Sequence, residues 1–359
     1  MINALDHILQ MAPYALAEMA PPPGKPLISL AQNESLRPPS PATTDAVVKA
    51  LSGGALYPDP AWTYLRRELA GLHGLRAQDI LCSNGSMELI GCIARAFAGP
   101  ERAVLTPAHA YPFFRSAAQM VGARFDTAPE VTATVCVEAL LQAVRTDTAL
   151  VFIANPGNPT GTRIGIADLH RLRAGLRDDI LLVIDEAYGE FADHLKEPVF
   201  DMVDSGATVV LRSFSKAYGM AGFRVGWGYA PPAIADEIRK VMNPNNVSLA
   251  SQAAATAALK DQTYMRETCA MTAALRDGAA SRLRQLGFHV LPSFTNFLLI
   301  DFGTPDTALS ADTALRAEGI FLRPQTGAGL PTTLRMTIGP EHAMEAALRC
   351  LETWHGRTA

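Results

Sequence analysis

The sequence lacks the features that mark several classes of protein. Its 5 cysteines are odd in number and include no C-x-x-C pair, so neither a disulfide framework nor a thiolate metal site is indicated. Its 8 histidines include no H-x-x-H or H-x-x-x-H pair, which argues against a metal site on one helix. The net charge is −4, without a long run of Lys and Arg. We therefore expect no metal, no nucleic-acid partner and no membrane partner.

Long apolar segments are also missing. No apolar run reaches the roughly 20 residues that span a membrane, and the first residues do not have the long apolar stretch of a secretory signal. The chain has 359 residues, of which 48% are hydrophobic, so it can bury a large core and is long enough for two lobes. These properties predict a soluble protein of the cytoplasm.

What the sequence does contain is a repeated alternation of short apolar strands and helices between residues 79 and 230. The strands are predicted at residues 80–83, 103–105, 149–153, 181–184 and 209–211. Their nearly continuous apolar runs are typical of parallel strands buried on both faces of a sheet. We therefore expect an α/β fold, with a three-layer αβα large domain around a mostly parallel sheet and a smaller α/β domain. The expected division is an N-terminal arm at 1–41 that contributes to the small domain, the large domain at 42–255 and the small domain at 256–359.

Polar side chains follow several of these strands directly. Ligands of parallel sheets bind at the carboxyl ends of the strands, so these residues are candidates for a site. Asp185 ends an apolar strand, where a carboxylate is costly to ionise without a cationic partner; a helix cap or a loop ion pair is the alternative. Asn158 lies in a turn after another strand and could donate to a ligand oxygen, although turn chemistry explains most of that segment.

Two glycine-containing segments suggest an anion site. Gly85 and Ser86 open a helix after the first strand, where free N–H groups and the helix dipole favour an anion; a Ser helix cap is the alternative. Residues 213–228 read SFSKAYGMAGFRVGWG, with hydroxyls, two cations and closely spaced glycines after a strand. Lys216 is either a counter-charge or a nucleophile. The S-x-x-K pattern of penicillin-recognising enzymes at 213–216 is set aside, because its companion motifs SDN and KTG are absent.

These residues fit together around one ligand, pyridoxal phosphate, which carries a pyridine nitrogen, an aldehyde, a phenolate oxygen and a phosphate. Lys216 is expected to form a Schiff base with the aldehyde, and Asp185 to pair with the protonated ring nitrogen. Two groups of side chains are expected to hold the ring oxygen and the phosphate: Asn158 and Tyr188 for the oxygen, and Ser213, Ser215 and Arg224 with the amides of Gly85 and Ser86 for the phosphate.

Four motifs carry a resemblance that supports this interpretation. They are NPTG at 158–161, DEAY at 185–188, SFSKAYGMAGFRVGWG at 213–228 and RMTIG at 335–339. In this order they resemble the motifs of fold-type I pyridoxal-phosphate-dependent aminotransferases of class I/II, and the resemblance covers nearly the whole chain. Within that superfamily the chain looks most like the histidinol-phosphate aminotransferases. The cues are its compact length, Pro13-Tyr14, Asn33-Glu34, Tyr57-Pro58-Asp59 and the strand that ends at Arg323.

The resemblance implies further site residues and an assembly. Tyr111 would stack on the pyridine ring. Tyr57 would reach the cofactor phosphate of the neighbouring subunit, which implies a homodimer with shared active sites. Because the planar fork of Arg suits carboxylate and phosphate, arginines would hold the acidic end of the substrate. The residues expected to bind substrate are Tyr14, Asn33, Arg323 and Arg335.

The expected reaction is a ping-pong amino transfer from an amino donor to a 2-oxo acid. The preferred donor is L-histidinol phosphate and the expected acceptor is 2-oxoglutarate, with Lys216 as general acid and base and Asp185 and Tyr188 as the other catalytic residues. Three segments depart from the family pattern, namely the extra Pro-rich residues between Tyr14 and Ile28, residues 33–37 and residues 324–331, so other functions stay open. They are an aminotransferase for another, for example aromatic, amino acid, a decarboxylase of the threonine-phosphate type, and a non-catalytic binder, which the intact lysine disfavours.

Overall fold

The computed structural model describes residues 2–13, 19–197, 199–204 and 206–358. In these ranges the strands are β1 (Ile28–Ser29), β2 (Ile80–Ser83), β3 (Ala103–Pro107), β4 (Phe125–Ala128), β5 (Thr148–Ala154), β6 (Leu181–Asp185), β7 (Thr208–Ser213), β8 (Gly226–Tyr229), β9 (His289–Val290), β10 (Phe297–Asp301), β11 (Ile320–Phe321), β12 (Arg323–Gln325) and β13 (Leu330–Thr337). The α-helices are α1 (Asp6–Leu9), α2 (Pro41–Ala50), α3 (Thr63–His73), α4 (Ser86–Phe97), α5 (Pro112–Met120), α6 (Val137–Ala143), α7 (Ile166–Gly175), α8 (Asp201–Asp204), α9 (Pro232–Val241), α10 (Leu249–Lys260), α11 (Gln262–Gln285), α12 (Pro305–Ala317) and α13 (Glu341–Thr358). Among these helices of the described ranges, none has the length and apolar composition that crossing a membrane requires.

Strands β2 to β8 form one sheet in the order β2-β8-β7-β6-β5-β3-β4. Neighbouring strands are parallel except at β8, which runs antiparallel to both β2 and β7. The prediction of an α/β fold with a mostly parallel sheet is confirmed. The edge strand β4 was not predicted, because its sequence FDTA is mostly part-exposed and forms no continuous apolar run.

The strand order determines where the helices lie. The chain moves outward from β3 to β4 through α5, and then back across the sheet to β5 and β6 through α6 and α7. Crossovers between parallel strands are right-handed, so α5 lies on one face and α6 and α7 lie on the other. Accordingly, α5 contacts α4, whereas α6 contacts α7. The winding changes direction between β3 and β5, and a ligand crevice is expected beside such a point.

The apolar runs that form the strands also form the core. Leu105, Phe152 and Ile184, on the adjacent strands β3, β5 and β6, are 0% exposed. Leu89 and Ile93, one turn apart on α4, are equally buried. Burial of each such side chain contributes roughly 1.5–3 kcal/mol. The core therefore holds the carboxyl ends of these strands in fixed positions.

A second sheet lies in the C-terminal third of the chain. It is antiparallel, has the strand order β12-β13-β10-β9, and contributes to a separate apolar cluster that includes Leu298, Met336 and Leu351. The N-terminal arm joins this part of the chain, because β1 pairs in parallel with β11 and Leu30 belongs to the same cluster. The residues that follow Leu30 are thereby brought to the edge of the large sheet.

Candidate active site

The carboxyl ends of β2, β5, β6 and β7 meet at one cavity of about 610 Å³. Most of the predicted site residues line it: Asn33, Ser86, Tyr111, Asn158, Asp185, Tyr188, Ser213, Ser215, Lys216, Arg224, Arg323 and Arg335. A groove of about 750 Å³ between α11 and α13 is larger, but none of the predicted residues lines it. Chemistry rather than size therefore assigns the site to the strand-end cavity.

One corner of the cavity is built to hold an anion. Helix α4 begins at Ser86, and Gly85 occupies the cap position with φ +81°, so no side chain caps the first N–H groups. The guanidinium of Arg224 lies so close to Gly85 that a Cβ there would overlap it. Arg224 Nη1 donates to Ser215 Oγ at 3.4 Å, and Ser213 Oγ accepts from the N–H of Ser215 at 3.1 Å. A helix start, two hydroxyls and a guanidinium suit a phosphate. The alternative of a Ser86 helix cap is wrong, since the cap residue is Gly85.

Asp185 supplies a buried acid at the end of β6. Its side chain lines the cavity and is 4% exposed, and it accepts a hydrogen bond from the N–H of Ala187 at 3.0 Å. Burial raises the pKa of this carboxyl to about 7, although the Ala187 N–H and the charge of Lys216 act in the opposite direction. A cationic ligand atom beside Asp185 would restore its ionised form.

Lys216 reaches the cavity from the turn after β7. Its Nζ donates to the backbone O of Asn33 at 2.9 Å and lies 5.8 Å from the centre of the Tyr188 ring. Burial lowers the pKa of this amine to about 8, and the charges of Arg335 and Arg224 act in the same direction. An amine with this pKa is partly neutral near physiological pH, so it can serve both as a nucleophile and as a proton carrier.

The two asparagines after β5 have different roles. Asn155 closes the local turn, because its side chain donates to the backbone O of Ile164 at 3.0 Å and accepts from the N–H of Ile164 at 2.9 Å. Asn158 lines the cavity, and its Oδ1 accepts from Arg335 Nη1 at 2.6 Å. Turn chemistry therefore explains Asn155, whereas Asn158 is part of the site.

Two tyrosine rings border the cavity and are fixed by packing. The ring of Tyr111 meets that of Phe114 edge-on, with 5.7 Å between centres. The ring of Tyr188 meets that of Phe297 edge-on at 5.3 Å, and the Tyr188 hydroxyl accepts from Asn33 Nδ2 at 2.7 Å. Rings held in this way can contact a planar ligand without losing further freedom.

Arg323 and Arg335 form a cross-strand pair on the small sheet. The register of β12 and β13 places their Cα atoms opposite each other, and both side chains line the cavity. Arg335 Nη2 also donates to the backbone O of Ala31 at 2.9 Å. Like charges that face each other across a ladder are unfavourable, so this pair indicates a place where an anionic group binds.

Among the described residues, Tyr57 and Gly85 are the predicted ones that do not line this cavity. Tyr57 is 88% exposed and lies between α2 and α3, away from the cavity of its own chain. Tyr14 lies outside the residues that the structure describes. The structure therefore brings together the other predicted residues, with Gly85 directly behind the anion corner.

Sequence analysis missed two buried amides at the edge of the site. Gln325 is 6% exposed, lines the cavity and donates to the backbone O of Arg323 at 2.9 Å. Asn296 is 1% exposed and donates from Nδ2 to the backbone O of Asn33 at 3.1 Å and of Glu34 at 3.0 Å. Gln325 is the last residue of β12 and Asn296 directly precedes β10, and an amide at the end of a short strand was the only available signal.

Comparison with known proteins identifies the chain's family. The family profile described as aminotransferase class I and II matches residues 25–351. The chain belongs to this family. It is 38% identical over 344 residues to the histidinol-phosphate aminotransferase of Granulibacter bethesdensis, covering 95% of this chain and 93% of that protein. It is 39% identical over 348 residues to the histidinol-phosphate aminotransferase of Rhodospirillum rubrum, covering 96% and 94%.

Similarity to a solved structure agrees with the family assignment of this aminotransferase. The histidinol-phosphate aminotransferase of Sinorhizobium meliloti in complex with pyridoxal-5'-phosphate is similar with a TM-score of 0.88 and 31% identity, and the match covers 92% of this chain and 91% of that one. The cavity residues of the aminotransferase fit such a cofactor. They include a buried carboxyl for a ring nitrogen, an amine for an aldehyde, and a helix start with a guanidinium that overlaps any Cβ at Gly85.

Proposed function

We propose that this aminotransferase uses pyridoxal phosphate to transfer the amino group of L-histidinol phosphate to a 2-oxo acid, with 2-oxoglutarate as the acceptor. The similarity to histidinol-phosphate aminotransferases over more than nine-tenths of both chains supports this donor. The structural observation that carries the proposal is the Arg323–Arg335 pair, whose side chains lie opposite each other on one ladder and both line the cavity. A phosphate or a carboxylate matches that geometry, and both substrates carry one. The pathway would then be histidine biosynthesis.

Different side chains of the cavity would contact different parts of the cofactor. When bound, its ring supplies an electron sink that stabilises negative charge at the reacting carbon of the substrate. Asp185 would hold the ring nitrogen in its protonated form, and Tyr111 would contact the ring face. Asn158 and Tyr188 would contact the ring oxygen, and the phosphate would be held by Gly85, Ser86, Ser213, Ser215 and Arg224.

Lys216 performs the chemistry that the protein itself contributes. Its Nζ would hold the cofactor covalently at rest, and as a free amine it would move a proton between two carbons. Burial and the neighbouring guanidinium groups of Arg335 and Arg224 lower its pKa to about 8, so both protonation states of the amine are populated near physiological pH. Tyr188 and Asp185 orient the reacting groups, and Asn33, Arg323, Arg335 and Tyr14 bind the substrate.

A homodimer with shared active sites is part of the same proposal. Tyr57 would contact the cofactor phosphate held by the partner subunit. Apolar side chains in the same stretch of chain are strongly exposed, namely Val48, Leu51, Leu56 and Tyr64. Exposed apolar groups that occur together mark an interaction surface, which supports a dimer contact around α2 and α3.

The division into an arm at 1–41, a large domain at 42–255 and a small domain at 256–359 is also kept as a proposal, as is a cytoplasmic location. Two separate apolar clusters support the division. Residue 255 lies inside α10, and Ala258 and Leu259 at the end of that helix still belong to the larger cluster. The long helix α11 would then connect the two domains.

A donor screen tests the proposed function. Purified holoenzyme is mixed with 2-oxoglutarate and one of L-histidinol phosphate, L-histidinol, L-phenylalanine or L-threonine O-phosphate, and glutamate and CO₂ are measured. We expect the highest kcat/KM and no CO₂ with histidinol phosphate. A higher kcat/KM with phenylalanine supports an aromatic aminotransferase instead, and CO₂ from threonine phosphate supports a decarboxylase. Absence of turnover with every donor contradicts all of these functions.

A further inference from the structure

The arm segment, residues 30–34, is fastened to the end of strand β13. The N–H of Thr337 donates to the backbone O of Leu30 at 2.8 Å. The N–H of Asn33 donates to Thr337 Oγ1 at 2.9 Å, and Arg335 Nη2 donates to the backbone O of Ala31 at 2.9 Å. These bonds hold the arm segment along the small sheet, at the side of the cavity that carries the arginine pair.

Asn33 connects this segment to the reacting lysine. Its backbone O accepts from Lys216 Nζ at 2.9 Å, and its Nδ2 donates to the hydroxyl of Tyr188 at 2.7 Å. Asn33 has φ +54°, a left-handed conformation that asparagine adopts more readily than other non-glycine residues. The conformation lets its backbone carbonyl and its side chain make these two contacts.

The side chain of Asn296 donates a hydrogen bond to the backbone carbonyl of Asn33. Asn296 precedes β10, is 1% exposed, and its backbone O accepts from the N–H of Ile338 at 2.8 Å. Its Nδ2 donates to the backbone O of both Asn33 and Glu34, at 3.1 and 3.0 Å. Its Oδ1 has no hydrogen-bond partner among the residues that the structure describes. A buried amide with an unsatisfied oxygen costs about 1–3 kcal/mol, so the two donated bonds are the reason for an amide at this position.

We propose that Asn296 is a positioning residue of the amino-transfer reaction, because its side-chain amide holds the Asn33 carbonyl in place as the acceptor for the amine of Lys216 whenever that amine is free. The proposal rests on the proposed role of Lys216. A carbonyl oxygen has two lone pairs, so it can accept from Asn296 and Lys216 together. Loss of the Asn296 donor frees the arm segment and leaves the amine without a fixed acceptor.

The direction of the effect follows from the charges around Lys216. Burial, Arg335 on β13 and Arg224 lower the pKa of the amine, whereas Glu34 on the arm and Asp185 on β6 raise it. A fixed carbonyl acceptor stabilises the ammonium form and therefore also raises the pKa. A hydrogen bond to a charged group is worth on the order of one to two pKa units. Removal of the Asn296 donor should lower the pKa of Lys216 by about one unit.

The experiment is a titration of Lys216 in the full-length apoenzyme. The wild type, Asn296→Ala and Asn296→Leu are labelled with trace acetic anhydride over a range of about pH 6 to 10, and the labelled Lys216 peptide is quantified by mass spectrometry. Leu has the branched shape and the same number of side-chain heavy atoms as Asn but no donors, so it keeps the site filled if the Ala variant folds poorly. Thr295→Val is the matched control: Thr295 is 0% exposed, and its hydroxyl bonds stay within residues 293–297.

We expect the pKa of Lys216 to fall by about one unit in both Asn296 variants and to stay unchanged in Thr295→Val, with the acid limb of the kcat profile moving by the same amount. An unchanged or raised pKa of Lys216 in the Asn296 variants would overturn the proposal. A loss of thermal stability in these variants, whether or not Thr295→Val shows it too, would not rescue it. The titration does not depend on the donor. Failure of histidinol phosphate in the donor screen would therefore leave this result intact. Turnover by Lys216→Ala would contradict the role of Lys216 in the proposed function, whereas the titration alone decides whether Asn296 positions the acceptor of this amine.

Discussion

At the residue scale, the site depends on two buried groups, Asp185 and Lys216, whose pKa values are shifted toward each other by burial. Burial raises the pKa of Asp185 to about 7 and lowers that of Lys216 to about 8. Each group therefore loses part of its charge, because the low polarity of its surroundings disfavours the ionised form. A ligand that offers a cation to Asp185 and an aldehyde to Lys216 removes both penalties. Pyridoxal phosphate is such a ligand.

The first residue-scale prediction concerns Asp185→Asn. Between about pH 4 and pH 7 the folded chain holds a proton on Asp185 that the unfolded chain has released, so stability of the apoenzyme falls as pH rises through this window. The variant removes that penalty. We expect its apoenzyme to gain on the order of 3 kcal/mol over the wild type at pH 7 and nothing near pH 4.

Chemical unfolding of both apoenzymes at several pH values measures this difference, and cofactor titration measures the accompanying loss. The variant should bind pyridoxal phosphate at least tenfold more weakly, since the ring nitrogen loses its counter-charge. Equal stability of the two proteins at pH 7, with equal cofactor affinity, would remove Asp185 from the proposed role.

The second residue-scale prediction concerns the pH dependence of cofactor capture. Only the neutral form of Lys216 attacks an aldehyde. With the pKa of this amine lowered to about 8, the rate at which apoenzyme captures pyridoxal phosphate should rise from pH 7 and level off above pH 9. Stopped-flow absorbance gives the rate. A rate that keeps rising to about pH 10, as for an ordinary lysine, contradicts the lowered pKa.

At the scale of elements, the small sheet and the large sheet contribute different chemistry. The ends of β6 and β7 provide Asp185 and the segment with Lys216, whereas β12 and β13 provide Arg323 and Arg335 as an opposed pair. In the proposed function, Asp185 and Lys216 at the large sheet would carry out the reaction, and the arginine pair of the small sheet would bind the anionic group of the substrate. Asn158 joins the two through its bond to Arg335.

The element-scale prediction is that Arg323→Gln affects phosphorylated donors selectively. A lost hydrogen bond to a charged group costs about 1.5–3 kcal/mol, so KM for histidinol phosphate should rise by roughly 10- to 100-fold. The rate with L-histidinol, which has no phosphate, should change far less. Arg316→Gln is the matched control, because Arg316 pairs with Asp312 on α12 outside the cavity. Equal losses with both donors would mean that Arg323 does not contact the phosphate.

Most of these elements and most of the site could be predicted from the sequence. Continuous apolar runs indicate buried parallel strands, and Asp185, Asn158 and Lys216 could be found because each follows such a run. Contacts between distant segments could not be predicted in this way. The opposition of Arg323 and Arg335 depends on the β12–β13 register, and the contact of Asn296 with Asn33 joins residues 263 positions apart. Neither is encoded in a local pattern.

At the scale of the whole molecule, the proposal requires a second copy of the chain. Tyr57 is 88% exposed, and the apolar side chains of the same stretch share that exposure. A single chain would leave these groups in water and its own cavity without the tyrosine expected beside the phosphate. A dimer contact around α2 and α3 would cover the exposed apolar side chains and would bring Tyr57 of each chain to the cavity of its partner.

Mixed dimers test this arrangement. Lys216→Ala and Tyr57→Ala are each expected to have little activity at low cofactor concentration, the first for lack of the amine and the second for weak cofactor binding. If Tyr57 acts in the partner subunit, dissociating and reassociating the two variants together produces one intact site in each hybrid dimer, and activity returns. No recovery, with hybrid formation verified by native mass spectrometry, places Tyr57 in its own subunit or outside the site.

The central claim is that Lys216 drives amino transfer from histidinol phosphate through pyridoxal phosphate. The most direct measurement follows the cofactor absorbance after histidinol phosphate is added to the holoenzyme without any 2-oxo acid. We predict that the wild type converts its cofactor to the amine form in one turnover without CO₂, that 2-oxoglutarate then restores the original spectrum, and that cofactor-loaded Lys216→Ala does neither. Conversion by Lys216→Ala at the wild-type rate, or no spectral change in the wild type, would contradict the claim.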